Sequence, residues 1–178
     1  QKLGQIYNPL SLNKHPKLLT HAANPLPVHM GGNLYRIFYS GRDAFNRSSV
    51  GAVDFDISDM KIVADHTNPF FVHGMEGSFC SHGVSIGNIY EAQGKKYMLF
   101  MGWQCHPNQH WRGEIGRLIL TENFDLKMDN LEPFIALNDR DSISLSYPWV
   151  FKKNQIQYEM WYGSTINWDA GNGEMIHV

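Results

Sequence analysis

The stretch YRIFYSG at residues 35–41 recurs as YMLFMGW at 97–103 and as YEMWYGS at 158–164. Each copy starts with tyrosine, continues with mostly apolar residues and reaches a glycine at its sixth or seventh position. The three tyrosines are 62 and 61 residues apart. A fixed period of this length indicates a repeat architecture, in which every copy forms one supersecondary unit.

The segments around these stretches also follow one order in every copy. An apolar segment, here named strand A, precedes a short polar turn and then the tyrosine-initiated strand B. A long polar loop follows, and an apolar strand C returns; the first two copies close with a segment that ends in PFF (69–71) or PFI (133–135). This order predicts four-stranded antiparallel units at residues 20–71, 79–135 and 141–178 of one domain, 1–178.

The fold class predicted from this pattern is all-β. Gly, Pro, Asn and Asp interrupt the chain about every ten residues, and aromatic and β-branched residues fill the intervals. Radial repetition of four-stranded units produces a β-propeller, whereas the alternative, a β-sandwich, does not predict the period. Three copies are fewer than the four to eight blades typical of propellers. We therefore expect a fragment of a longer protein or, failing that, an edge-to-edge homo-oligomer.

Composition excludes several function classes. The net charge is −2, and the Lys and Arg residues are scattered, so no nucleic acid and no anionic membrane is an expected partner. No apolar run is long enough to span a bilayer, and no export signal is visible at the first residues. Two cysteines are too few for a disulfide framework, which favours a cytoplasmic location. We expect no cofactor and no metal.

Unusual polar and aromatic residues concentrate where each strand A starts and each strand B ends. Because antiparallel strands alternate in direction, these positions meet at one face of a propeller. The A–B turns on the other face contain mainly Gly, Lys, Asn and Gln. Functional residues commonly lie on loops of a rigid scaffold. The segments concerned are HAAN (21–24), GRDAFNRSS (41–49), GMEGSFCSHG (74–83), GWQCHPNQHWRGE (102–114), NDRDSISLSYP (138–148) and GSTINWDAGNG (163–173).

HAANP, SGRD with SSVG, GSFCSHG, and SYPWV followed by MWYGS resemble the five-bladed propellers of glycoside hydrolase family 43 and its relatives, among them the mannoside phosphorylases of family 130. The resemblance is closest to family-43-like proteins encoded among polysaccharide-biosynthesis genes. It implies a carbohydrate-active protein, of which about three of five blades are present here.

Only some of the catalytic residues of these families have a counterpart in this chain. Family 43 enzymes place a general-base Asp at the start of strand A in blade one, where this chain has Asn24. An amide cannot accept a proton from water, so this departure opposes the family-43 hydrolytic mechanism. The second acidic residue of the family matches Asp141, and its general-acid Glu belongs to a blade that this chain lacks. The phosphorylase pattern matches Arg42 and Asp43, with the arginine holding a sugar hydroxyl or phosphate.

The candidate catalytic residues are Asp43, Glu76 and Asp141. The candidate substrate-binding residues are His21, Asn24, Arg42, Arg47, His82, Trp103, Glu114, Tyr147 and Trp168. We expect them to line a pocket at the mouth of the central channel. For Arg42 and Asp43 the alternative is an ion pair that only stabilises its loop. For Glu76 and Glu114 the alternative is a solvent-exposed side chain that contacts no ligand. Trp149 and Trp161 lie inside strands and are expected in the core, whereas Trp103, Trp111 and Trp168 lie on loops and could stack on sugars.

Two functions therefore remain open. The first is a carbohydrate-active enzyme, either a hydrolase, a phosphorylase or a sugar transferase. The second is a non-catalytic glycan-recognition propeller that kept the pocket and lost the general base, for which Asn24 is the main evidence.

Overall fold

A computed structural model describes residues 4–11, 15–107, 109–167 and 176–177. The fold is all-β, as predicted: within those ranges the only helical element is a 3-10 turn at Pro9–Ser11. The described part of the chain contains no helix that could span a bilayer. The strands are β1 Thr20–Gly31, β2 Leu34–Arg42, β3 Ser48–Asp56, β4 Lys61–Asp65, β5 Gly83–Ala92, β6 Lys95–Cys105, β7 Trp111–Leu120, β8 Leu126–Met128, β9 Ser144–Lys152, β10 Tyr158–Asn167 and β11 Ile176–His177.

The chain divides into two compact units, Gln1–Val72 and His73–Val178. The first unit contains the first copy, in which β1 to β4 pair consecutively and antiparallel. The second unit contains the second copy, β5 to β8, and the third copy, β9 to β11, each paired in the same consecutive order. The antiparallel order of strands A, B and C is therefore confirmed in all three copies, and the fourth strand in the first two.

Strands B and C are longer than the sequence indicated. In the second copy β6 and β7 stay paired out to Cys105 and Trp111, so the connection is reduced to residues 106–110. Trp103 and Trp111 consequently lie in strands and not on a loop. The polar residues at these positions do not end the ladder, because one face of an antiparallel pair can point to solvent.

The closing segments differ from the prediction as well. β4 and β8 end at Asp65 and Met128, before the Pro-Phe motifs. Phe71 and Ile135 instead form single antiparallel bridges to Val50 and Ile115 of strand C. On this side strand C is therefore paired by two separate short segments, β4 or β8 at its C-terminal end and a single bridge closer to its start.

In the first unit, a buried cluster lies on one face of the β1–β4 sheet. Leu18, Tyr39 and Val53 are at most 1% exposed, and Tyr7 packs against them. The Tyr39 ring covers Gly51, where an added Cβ would lie 2.5 Å from the ring. This glycine is required by that close approach.

In the second unit, β9 packs across the β5–β7 sheet. Leu99 and Ile115 of the second copy and Leu145 of β9 are fully buried and in contact. The approach is close enough that an added Cβ on Gly113 would lie 2.3 Å from the Leu145 carbonyl oxygen. The third copy is thereby held on the second through one face of its sheet.

The expectation that Trp149 and Trp161 are core residues is wrong. Both lie in strands, but they are 56% and 67% exposed. They are direct partners across β9 and β10, on the face opposite Leu145 and Val150. Strand membership does not determine burial, because successive side chains point to opposite faces of a sheet.

Candidate functional site

Strand A of the first copy is irregular where two candidate residues lie. β1 changes register between Thr20 and Ala23 and again between Ala23 and Leu26. His21 and Asn24 sit within these irregularities with φ of 64° and 53°, and both are exposed. Positive φ is uncommon for residues other than glycine, and bulges re-aim side chains near functional sites.

The loop after β2 is organised by one carboxylate, that of Asp43. Its Oδ1 accepts hydrogen bonds from the backbone N–H groups of Phe45 and Arg47, both at 2.9 Å. Its Oδ2 accepts from Nε of Arg47 at 2.9 Å and pairs with Nζ of Lys17 at 3.5 Å. Asp43 is 7% exposed, so these donors compensate the cost of burying its charge.

Arg42 points to a different partner than the sequence suggested. Its Nη1 donates to Oδ1 of Asn46 at 2.7 Å, within the loop. The close ion pair of Asp43 is with Arg47, four residues later in the same loop.

The environment of Asp43 stabilises its ionised form. Burial by itself raises the pKa of Asp43, but hydrogen bonds from the backbone and side chain of Arg47 and from the backbone of Phe45 outweigh burial. The pKa therefore lies below its ordinary value of 3.8. Near neutral pH the group is a carboxylate whose lone pairs face donors of its own loop.

We expect Asp43→Asn to lower the melting temperature at neutral pH and to lower it progressively less in acid. A carboxyl with a depressed folded-state pKa contributes stability above its unfolded pKa and loses that contribution as pH falls through the folded one. Melting curves of both proteins from neutral pH to below pH 3.8 measure this. Asp59→Asn, in an exposed pair with Lys61, is the matched control. A pH-independent difference would contradict the assignment.

In the second unit, His82 and Trp103 lie together where strand A starts and strand B ends. The backbone N–H of His82 donates to the Trp103 carbonyl at 3.0 Å, and the two ring centroids are 6.2 Å apart. Nδ1 of His82 lies 3.2 Å from Oγ of Ser81. Glu76, in the preceding turn, is exposed. The His82–Trp103 pair offers a ring surface beside a polar nitrogen.

Glu114 holds the connection between the second and third copies. It is 9% exposed, its Oε1 accepts from the Leu137 backbone N–H at 3.2 Å, and Nη2 of Arg112 lies 3.9 Å away. The segment that follows Leu137 leads to Asp141. Glu114, in β7, thus fixes the connection that carries Asp141 to the start of β9.

Asp141 is bound by two hydroxyl groups of β10. Tyr162 Oη donates to Oδ2 of Asp141 at 3.0 Å, and the Ser164 hydroxyl donates to the same carboxylate. The Ser164 hydrogen bond is the largest cause that lowers the pKa of Asp141, and Tyr162 adds to it against the effect of burial. The hydrogen bond to Asp141 in turn raises the pKa of Tyr162. This pairing keeps Asp141 ionised and Tyr162 protonated.

Strand A of the third copy repeats the irregularity of the first. Tyr147 has φ of 48° and is 69% exposed, at a register shift between β9 and β10. Trp168 lies outside the described residues.

The geometry thus groups the candidates within each unit. His21, Asn24, Arg42, Asp43 and Arg47 lie on or beside the same end of the β1–β2 pair in the first unit, and His82, Trp103, Glu114, Asp141 and Tyr147 lie in the second. Sequence reasoning missed Lys17, Tyr162 and Ser164. Tyr162 and Ser164 belong to the YEMWYGS repeat, in which they looked like strand residues.

Comparison with known proteins supports the fold class. No family model matches the chain. Two uncharacterized proteins of Mycobacterium tuberculosis, from strains CDC 1551 / Oshkosh and H37Rv, are 37% identical over 179 residues. The alignments cover the whole of this chain, which spans 59% of the length of those relatives.

Two solved structures share the fold at low identity. Sucrose-6-phosphate hydrolase from Lactobacillus gasseri matches 85% of this chain and 30% of its own, with a TM-score of 0.63 and 14% identity. A second glycoside hydrolase matches 80% of this chain and 47% of its own, with a TM-score of 0.60 and 14% identity. The chain has the all-β, propeller-type fold of these glycoside hydrolases.

Proposed function

We propose that the chain belongs to a carbohydrate-active protein that binds a glycan or sugar derivative where its strands A start and its strands B end. The observation that carries the proposal is the left-handed backbone of His21, Asn24 and Tyr147 on strands A. Backbone strain costs free energy and concentrates at binding and active sites. The resemblance of the loop motifs to families 43 and 130 and the fold of the structural neighbours support the same conclusion.

The candidate residues of the second unit can form hydrogen bonds with sugar hydroxyl groups and pack against a sugar ring. An ionised carboxylate has about four acceptor positions, and the side chains of Tyr162, Ser164 and Asn138 donate hydrogen bonds to Asp141. The remaining position can accept a hydrogen bond from a sugar hydroxyl. The rings of His82 and Trp103 can pack against the apolar face of a sugar.

The first unit supplies positive charge. Arg42 and Arg47 lie at the two sides of the Asp43 loop, and arginine binds phosphate or carboxylate groups in a bidentate manner. Asp43, which accepts a hydrogen bond from Nε of Arg47, would position Arg47, and Asn46, which accepts from Nη1 of Arg42, would position Arg42. This arrangement favours a positioning function for Asp43 over proton transfer.

If the protein is an enzyme, Asp141 is the best placed base. Its lowered pKa keeps Asp141 ionised near neutral pH, which makes it unsuitable as a general acid and a weaker base than an ordinary carboxylate. Hydrolysis uses such a carboxylate to activate water or as the nucleophile, whereas in phosphorolysis the phosphate itself can attack the anomeric carbon. Glu76 is a second carboxylate of the second unit, and it is exposed.

A non-catalytic glycan-binding protein is the second candidate. Asn24 stands where the family resemblance requires a general base, and Asp43 is engaged by Phe45, Arg47 and Lys17. Both observations favour a site that binds without turnover.

We expect Asp141→Asn to weaken sugar binding, or to abolish turnover, with little loss of thermal stability. The carboxamide presents an N–H where the carboxylate presents an acceptor, which removes a hydrogen bond to a sugar hydroxyl. The measurement is a thermal-shift and product screen with monosaccharides, sugar phosphates, nucleotide sugars and oligosaccharides.

Asp59→Asn, at the β3–β4 turn, serves as the control. Turnover that Asp141→Asn abolishes supports the enzyme, whereas saturable binding without turnover supports the recognition protein. Absence of both binding and turnover with every sugar class would contradict the proposed function.

A further inference from the structure

The connection between β2 and β3 carries an exposed aromatic ring, that of Phe45. The side chain is 79% exposed, although the residues on both sides of it are engaged in hydrogen bonds. Thr20 of β1 pairs with Arg42 at this end of the sheet, so Phe45 lies at the end where His21 and Asn24 interrupt strand A. Single exposed apolar residues are common on protein surfaces, so the significance of Phe45 depends on how its loop is held.

The backbone of this loop is fixed by hydrogen bonds on both sides of Phe45. Oδ1 of Asp43 accepts from the N–H groups of Phe45 and Arg47, and the Asp43 N–H donates to the Arg47 carbonyl at 2.9 Å. Asn46, in the left-handed region with φ of 64°, accepts from Nη1 of Arg42. A loop with these internal partners loses little conformational freedom when a ligand binds, because it is ordered beforehand.

The ring of Phe45 is oriented by Arg47. The guanidinium carbon of Arg47 lies 5.1 Å from the centroid of the Phe45 ring, within the range of a cation–π contact. Nε of the same guanidinium donates to Oδ2 of Asp43 at 2.9 Å. The Asp43 carboxylate therefore fixes the backbone of Phe45 directly and its ring through Arg47. The ring face turned away from Arg47 is accessible, because the side chain is 79% exposed.

The second copy also presents an aromatic ring at the end of its strand B. Trp103, near the end of β6, lies beside His82, with the two ring centroids 6.2 Å apart. Phe45 is the corresponding ring of the first unit, although it lies in the loop and not in the strand. Rigid aromatic side chains provide contact area at a low cost in conformational entropy, which suits them to ligand binding.

We propose that Phe45 is a ring-stacking residue of the first unit, and that the apolar face of a pyranose sugar packs on it. The inference rests on the proposed function and narrows the ligand to a sugar in its closed-ring form. One face of a pyranose ring carries axial C–H groups, which pack against the flat face of an aromatic side chain. An open-chain alditol has comparable hydroxyl groups but lacks this face. Asp43 and Arg47 hold the Phe45 ring in place for the contact.

The test measures, by calorimetry on the full-length protein, the binding of methyl glycosides of glucopyranose, galactopyranose and mannopyranose and of the three corresponding alditols. Phe45→Ala should weaken pyranoside binding by about tenfold, the loss expected for one aromatic contact, and leave alditol binding unchanged. Phe45→Trp should retain pyranoside binding. Phe45→Leu, which keeps apolar bulk without a flat ring, should bind pyranosides as weakly as Phe45→Ala.

Fluorine NMR of protein labelled with fluorophenylalanine adds a readout of contact at the ring itself. The Phe45 signal is identified by its absence in Phe45→Leu, and it should shift when a pyranoside is added but not when an alditol is added. Ile57→Ala, at a 52% exposed apolar position of the same unit, is the matched control and should bind every sugar as the wild type does. The Phe45 variants should keep the wild-type melting temperature, because the side chain is exposed.

Equal pyranoside binding by Phe45→Ala and the wild type would overturn the inference and leave the proposed function intact, since the sugar still binds. Wild-type affinity in Phe45→Leu would overturn it as well, because apolar bulk without a ring would then suffice. An equal loss of pyranoside and alditol binding would show that Phe45 only shapes its loop. Failure of the wild-type protein to bind any of the sugars would contradict the proposed function and the inference together.

Discussion

Replacing Asp54 with alanine is expected to destabilise the first unit by about 3 kcal/mol or more, because it leaves a buried arginine without its carboxylate. Nε and Nη2 of Arg36 bind the two oxygens of Asp54 at 2.8 and 3.0 Å. Both side chains are only 10% exposed. His66 Nε2 lies 3.0 Å from Oδ2, and the Phe70 ring lies 4.9 Å from the guanidinium carbon. Removing one partner of such a group costs more than the pair contributes, since the remaining charge stays desolvated.

The measurement is urea denaturation combined with hydrogen exchange of the β2 and β3 amides. Asp59→Ala, in the exposed pair with Lys61, is expected to change stability little, since exposed pairs contribute little. Arg36→Met combined with Asp54→Leu should restore much of the lost stability, because it removes both buried charges. A loss below about 1 kcal/mol for Asp54→Ala would contradict the interpretation, since it is the size expected of an ordinary hydrogen bond.

The contacts of Asp54 with Arg36 and His66 also predict that acid lowers the stability of the first unit. Burial by itself raises the pKa of Asp54, but hydrogen bonds from Arg36 and His66 outweigh burial and lower it below 3.8. Asp54 therefore contributes stability above pH 3.8, and this contribution is lost as pH falls through its folded-state pKa. The penalty of Asp54→Ala should shrink over that range.

Asn88→Ala is expected to cost the second unit about 3 kcal/mol, through the loss of two hydrogen bonds to one backbone position. Asn88 lies at a register shift of β5 and is 6% exposed. Its Nδ2 donates to the Val150 carbonyl at 2.5 Å, and its Oδ1 accepts from the Val150 N–H at 2.9 Å. The Asn88 side chain thus makes the two backbone hydrogen bonds to Val150 that a neighbouring strand would otherwise make with β9. Alanine would leave a buried N–H and a buried C=O without partners.

Hydrogen exchange of the Val150 amide reports this change directly, and chemical denaturation gives its magnitude. Asn130→Ala removes an amide that caps an exposed turn through the Glu132 N–H and is the matched control. We expect the control to change stability far less, because water replaces the lost partner. Unchanged exchange at Val150 in Asn88→Ala would show that another group satisfies that amide.

The candidate site was predictable only in part. The sequence placed His82 before strand A and Trp103 after strand B of the second copy, and the two residues lie together, although β6 continues past Trp103 to Cys105. It did not reveal that Asp43 pairs with Arg47, or that Tyr162 binds Asp141. Those pairings depend on loop conformation and on the register of strands, neither of which is contained in residue spacing.

The sequence by itself determined the all-β class, the repeat and the order of strands within each copy. These follow from local properties: the alternation of apolar residues, the turn residues and a period that recurs in the chain. The tertiary structure alone decided the bulges that hold Asn24 and Tyr147, the partners of the buried carboxylates and the exposure of Trp149 and Trp161. Each of these depends on which face of a strand another segment covers, and that contact joins residues whose distance in sequence carries no signal of their proximity.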